Sequence, residues 1–234
     1  MEMGKFGAQI EKKNIKILKP IYQEFLKSTT KDELIDSFIK LSEFFREHSS
    51  EIRGMMTERE FAALVGFRLE EFVHHVANTM KKKHKKNVDI AFIQGKKCKM
   101  IIFENDTDFI GQGCDLAIGK WVENKKFGGE FFIPKILIES KRYVALAPQM
   151  RDVSMLAIKW KEKYPDVKFI IFAEHNDMEK KDYSLMRDFW GSAIYDLFFI
   201  KEGSRSLERK GINNYKKEEL ERFIDEMERL IKEL

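Results

Sequence analysis

The sequence predicts an α/β fold: a mixed β-sheet, built from a hairpin and a β-α-β crossover, flanked by helices. Three observations carry that prediction. The first eighty or so residues repeat their apolar positions at helical spacing, whereas the middle of the chain changes to short apolar runs of strand character. One of those runs leads through a helical pattern into another buried apolar run, the signature of two parallel strands joined by a crossover.

Ile15 to Leu26 has helical spacing. A second helix, with Asp32 placed to cap it, runs through Leu34, Ile35, Phe38, Ile39, Leu41, Phe44 and Phe45. A third opens at Thr57-Glu58-Arg59-Glu60, a capping box whose hydroxyl and carboxylate satisfy each other's backbone N–H groups. It continues through Phe61, Leu64, Val65, Leu69, Phe72, Val73 and Val76 into the basic run Lys81 to Lys86, which suits a helix C-terminus. Strands follow at Lys99 to Phe103, Asp115 to Val122 and Phe131 to Val144, and Asn124 to Gly129 is turn chemistry between the last two. Pro148 opens a helix with Val153, Leu156, Ala157, Trp160 and Tyr164 on one face, and Pro165 stops it. Val167 to Ala173 and Ile194 to Ile200 read as buried strands. A final helix spans Glu218 to Leu234.

The 234 residues include 20 Phe and are 43% hydrophobic, enough for a sizeable core. A formal charge of +4 permits nucleic acid as a partner without demanding it. Cys98 and Cys114 make neither a disulfide framework nor zinc spacing, which favours a reduced compartment. No stretch approaches the roughly 20 uninterrupted apolar residues of a membrane span, and the polar N-terminus has no apolar signal region, so a soluble, cytoplasmic protein with no membrane partner is expected.

The chemistry concentrates in Gly111-Gln112-Gly113-Cys114-Asp115 and in Lys135-Ile136-Leu137-Ile138-Glu139-Ser140-Lys141. Residues two apart in a strand share a face, so Glu139 and Lys141 stand side by side. An apolar run precedes them, and charge at the end of a central strand costs several kcal/mol unless something compensates it, as a divalent cation would. In an antiparallel hairpin, opposite residues are symmetric about the turn. The midpoint of Asp115 and Glu139 is position 127, and that of Asp115 and Lys141 is 128; both fall within the turn read from composition. Asp115, Glu139 and Lys141 therefore converge, although Pro134 signals a bulge able to shift the register by one. Two carboxylates and a lysine suit magnesium-assisted phosphodiester cleavage. Taken alone, Glu-Ser-Lys reads more plainly as a surface ion pair.

Asp115, then Glu139-Ser140-Lys141, then the helix and strand through Ala173, resembles the PD-(D/E)XK nuclease superfamily, and most of all its small type II restriction endonucleases. The resemblance covers about residues 57 to 200; Cys114 stands where the motif name has proline. It implies a restriction-endonuclease-like core at 57–200, preceded by a helical extension at 1–56 and followed by a C-terminal helix at 201–234, all in one nuclease domain. It further implies cleavage of double-stranded DNA with Mg2+, or Mn2+ in its place. Asp115 and Glu139 would be metal ligands and Lys141 would position the nucleophile. Glu70, in Gly66-Phe67-Arg68-Leu69-Glu70-Glu71, would be a further catalytic carboxylate and metal ligand, against its plainer reading as a solvated helix residue. Gln149, Arg151 and Arg142 would contact DNA. Cutting both strands of a duplex implies a homodimer, with the helices from Ile15 to Phe45 and Leu220 to Leu234 as candidate interfaces. A Holliday-junction resolvase or repair nuclease of the same fold, and a non-catalytic DNA-binding or interaction protein, are the alternatives.

The remaining polar clusters have plainer readings. Adjacent His74 and His75 point about 100 degrees apart on a helix and read as packing. Asp106 and Asp108 read as turn caps, Lys81 to Lys86 as a solvated helix end rather than a phosphate contact, and Glu174, His175 and Asp177 as turn or surface residues.

Overall fold

A computed structural model describes residues 4–91, 114–123, 130–144, 149–178, 193–204 and 214–234, with the side chains of residues 130, 131 and 149–152 left out. The N-terminal part is helical: α1 (Lys5–Lys12), α2 (Lys19–Lys27), α3 (Lys31–Glu47), α4 (Ser49–Gly54) and α5 (Glu58–Lys83). Strands β1 (Asp89–Ala91), β2 (Leu116–Glu123) and β3 (Glu130–Val144) come next, then α6 (Gln149–Lys163), β4 (Lys168–Asn176), β5 (Asp196–Phe199) and α7 (Lys217–Glu233). The sheet has the order β1-β2-β3-β4-β5. Its first three strands pair antiparallel, and β3, β4 and β5 pair parallel. This is the mixed sheet flanked by helices that the sequence predicts.

The alternation of β3 and β4 divides the core. Ile136, Ile138, Ile170 and Phe172 point to one face, where they pack with Phe38, Phe72 and Phe223 of α3, α5 and α7. Leu137, Ile171 and Ala173 point to the other, against Leu156 and Trp160 of α6. A strand buried on both faces has to be apolar nearly throughout, which is why β3 and β4 read as runs rather than alternations.

Several local features differ from the sequence reading. The pattern from Ile15 is broken: Lys16–Leu18 is a 3-10 turn and α2 starts at Lys19. Pro20 explains the break, since it lacks an N–H and is tolerated only in a helix's first turn. The cap of α3 is Thr30, whose hydroxyl accepts from the Glu33 N–H in a capping box, and Asp32 lies inside the first turn. Helices α1 and α4 and strand β1 are additional elements. Lys99 to Phe103, Asp106, Asp108, Cys98 and the turn at 124–129 lie outside the described residues. No helix among the described residues is long and apolar enough to cross a membrane.

Most apolar residues of the two candidate interface segments are spent within the chain, while Ile17, Leu26, Ile39 and Phe44 are only partly buried and Leu234 is exposed. Phe25, Leu34, Phe38, Leu41 and Phe45, and Leu220, Phe223, Ile224, Met227, Leu230 and Ile231, are all buried. His74 and His75 are buried as well, with His75 Nε2 3.0 Å from the Ser28 carbonyl oxygen. Burial, with His75 alongside, pulls the His74 imidazole down to about 4, so it packs as a neutral ring. Lys83 and His84 share Glu228 at 2.8 and 2.9 Å, tying the basic end of α5 to α7.

Candidate active site

The site starts from the pairing of β2 with β3. Leu116 opposes Ile138, Ala117 opposes Leu137 and Ile118 opposes Ile136; beyond Gly119, which opposes Pro134, the pairing is shifted by one residue. The bulge thus sits where Pro134 announced it, and Lys135 is the extra residue. Gly119 is required there, because a Cβ would collide with the Ile133 carbonyl. Extending the inner register by one places Asp115 opposite Glu139.

Asp115 precedes the first residue of β2, and its Oδ2 accepts a hydrogen bond from the Ser140 N–H at 2.8 Å. Cys114 Sγ donates to the Ile138 carbonyl at 3.0 Å, which holds the chain entering β2 against β3. Burial, with Glu139 and Asp115 nearby, pushes the Cys114 thiol well up, so it stays protonated. Glu139 is buried and contacts Lys141 Nζ through Oε1. Its Oε2 is buried with no hydrogen-bond partner among the described residues.

The electrostatics follow from this crowding. Burial and then the Asp115 charge raise the Glu139 carboxyl above its ordinary range, against the lowering effect of Lys141. Burial alone would lower the Lys141 ammonium, but Glu139 and Asp115 outweigh it and the net shift is upward. Glu70, on α5, is pushed up to about 7 by burial first and then by Asp115, with Glu139 adding to it. Glu70 therefore faces the carboxylate pair closely enough to feel both charges. Its direct partner is Lys5 of α1, which forms an ion pair with it.

The structure thus brings Asp115, Glu139 and Lys141 together and sets Glu70 beside them. Among the described residues, no three His, Cys, Asp or Glu side chains gather closely enough to hold a metal ion by themselves. Magnesium does not need three: it is commonly held by one or two carboxylates, with water and substrate phosphate completing its shell. A buried Glu139 Oε2 without a hydrogen-bond partner among the described residues, beside an Asp115 charge that raises the Glu139 carboxyl, fits such a cation. Gln149 and Arg151 are in the first turn of α6, and their side chains lie outside the described ones. Arg142 follows Lys141 on the opposite face of β3, where it lines a cavity with Arg68 and Glu174.

Two features escaped sequence reasoning. Lys5 is 65 residues from Glu70 and carries no local signal. Glu174 and His175, expected at a turn or the surface, are 1% and 0% exposed. Glu174 instead takes Arg68 and, at 3.1 Å, Lys201 as ion-pair partners. A signal did exist in Arg68, one turn from both Leu64 and Phe72 on the apolar stripe of α5, where a buried guanidinium demands a carboxylate.

No protein-family model matches the chain, and no curated protein sequence matches it. The fold is restriction-endonuclease-like. It is similar to a solved chain of the native BbvCI A2B2 tetramer, with a TM-score of 0.62 and 14% identity, over 95% of this chain and 89% of that one. At that identity the likeness extends to the fold alone.

Proposed function

We propose that this chain is a magnesium-dependent endonuclease that hydrolyses phosphodiester bonds of double-stranded DNA in a site-specific, restriction-type reaction. The observation that carries the reading is a half-buried Asp115 held against β3 beside the buried Glu139, with Lys141 on Glu139, where the apolar run of β3 gives way to polar residues. BbvCI is a type II restriction enzyme, which supports a nuclease of this fold.

Asp115 and Glu139 would hold the cation, with Glu70 as an outer or second-metal ligand. Bound there, magnesium supplies positive charge to the scissile phosphate and makes a nearby water more acidic. Lys141 orients the attacking water or donates to the phosphate oxygen on which charge develops. Its ammonium stays charged at working pH because its carboxylate neighbours outweigh burial. Burial of Glu139 also keeps the local dielectric low, which strengthens each of these interactions. Gln149, Arg151 and Arg142 would contact the DNA. Two copies would be needed to cut both strands, and the A2B2 assembly of the structural neighbour supports association with further subunits.

The test is a metal series on plasmid DNA. Cutting is expected with magnesium or manganese and binding without cutting with calcium, since hard oxygen ligands accept all three. Undiminished cleavage in excess EDTA would rule out a metal mechanism.

A further inference from the structure

A cavity of about 430 Å³ lies between the N-terminal helices and the ends of β3 and β4. Arg142 lines it, and successive strand residues face opposite sides, so it sits across the sheet from Glu139 and Lys141. Among the described residues its walls carry five cations, Arg46, Arg53, Arg68, Arg142 and Lys201, and one carboxylate, Glu174. That carboxylate is already engaged by Arg68 and Lys201, and all three are buried.

The outer cations are held differently. Arg53 lies 4.7 Å over the Phe61 ring and 3.4 Å from the exposed Glu58. Arg46 has no ion-pair partner among the described residues. Ser42, one turn before Arg46 on α3, is 2% exposed, and its Oγ has no hydrogen-bond partner among the described residues. A buried hydroxyl without a partner costs stability, and here it lines an open cavity whose other polar groups are nearly all donors.

We propose that this cavity binds a phosphate group. Guanidinium forks and a hydroxyl match tetrahedral phosphate oxygens, and the arginine excess matches its charge. The volume lies within the range of small-ligand sites. The phosphate would come from a DNA strand or from a free mononucleotide; the recognising chemistry is the same. The cavity is across the sheet from the carboxylate patch, so binding in it is measured without the cleavage reaction.

The experiment is thermal melting of the full chain in EDTA, which removes any metal-dependent reaction. The titrants are inorganic phosphate, adenosine monophosphate and a short DNA duplex, each against potassium chloride of equal ionic strength. A ligand that binds only the folded state raises the melting temperature with its concentration. The double variant Arg46→Gln/Arg53→Gln alters only exposed side chains, and Lys12→Gln/Lys16→Gln removes the same charge elsewhere. Stabilisation is expected with wild type and the lysine variant, weakened about tenfold in apparent affinity in the arginine variant. A response to phosphate and mononucleotide assigns a free nucleotide as the source; a response to duplex alone assigns the DNA backbone. No response beyond chloride, or an equal loss in the two variants, overturns the proposal.

Discussion

Glu70 shows what the crowding of carboxylates does to one side chain. In the unfolded chain it titrates near 4.5, whereas in the folded protein burial and Asp115 move it to about 7. Between those values the folded state binds more protons than the unfolded state, so stability falls as pH rises. The contribution is fully present below pH 4.5 and lost as pH passes 7. For metal-free protein it amounts to about 3 kcal/mol. Glu70→Gln removes the titration, so the stability difference between wild type and variant, from urea denaturation at several pH values, should change by about that amount across the window. A difference that stays flat with pH would contradict the account. Added magnesium should restore stability most at high pH, where the carboxylates are ionised.

At the scale of elements, α1 is fastened to α5 by Glu71 as well as by the Lys5–Glu70 ion pair. Glu71 is 1% exposed and accepts from the Gly4 N–H at 3.1 Å, the Phe6 N–H at 3.2 Å and the Tyr22 hydroxyl at 2.7 Å. Glu71→Ala leaves those donors buried, so a loss of about 3 kcal/mol is expected in urea denaturation; a loss below about 1 kcal/mol would mean that the segment docks by apolar contact alone. The same docking carries Lys5 to Glu70, which is why that ion pair was invisible in the sequence: it depends on a helix packing 65 residues away. The β2–β3 hairpin was legible for the opposite reason. A period of two and a turn-rich segment restrict the pairing to a register near 127, and Pro134 marks the bulge that the structure places at Ile118/Gly119. The cap of α3 was misassigned to Asp32, although Glu33 three residues after Thr30 is the capping-box signal. Glu174 was misread because strand ends are usually wet, and nothing local announces that α5 and Lys201 cover this one. Gly119→Ala tests the hairpin itself. It should cost about 2 kcal/mol or more in denaturation and reduce cleavage with it, because the Ile133 backbone has no room to yield.

For the whole molecule, the fold is one sheet with a helical layer on each face, and Asp115, at the entry to β2, meets the central strand β3 beside Glu139. The long N-terminal helices and α7 use most of their apolar residues within the chain, which leaves only Ile17, Leu26, Ile39, Phe44 and Leu234 partly or fully open on them. A dimer is still expected, because an enzyme cutting both strands of a duplex works most simply with matching two-fold symmetry. Light scattering should return about twice the chain mass of 27.8 kDa. A single-chain mass with and without DNA, together with nicking of one strand, would favour a nickase or repair role. The central claim, that Asp115 and Lys141 work as one catalytic group with Glu139, is tested most directly by plasmid cleavage with magnesium using Asp115→Ala and Lys141→Ala. Each variant should keep the wild-type circular dichroism and urea midpoint, or exceed that midpoint for Asp115→Ala, and each should lose cleavage altogether. Full activity in either folded variant would contradict the assignment.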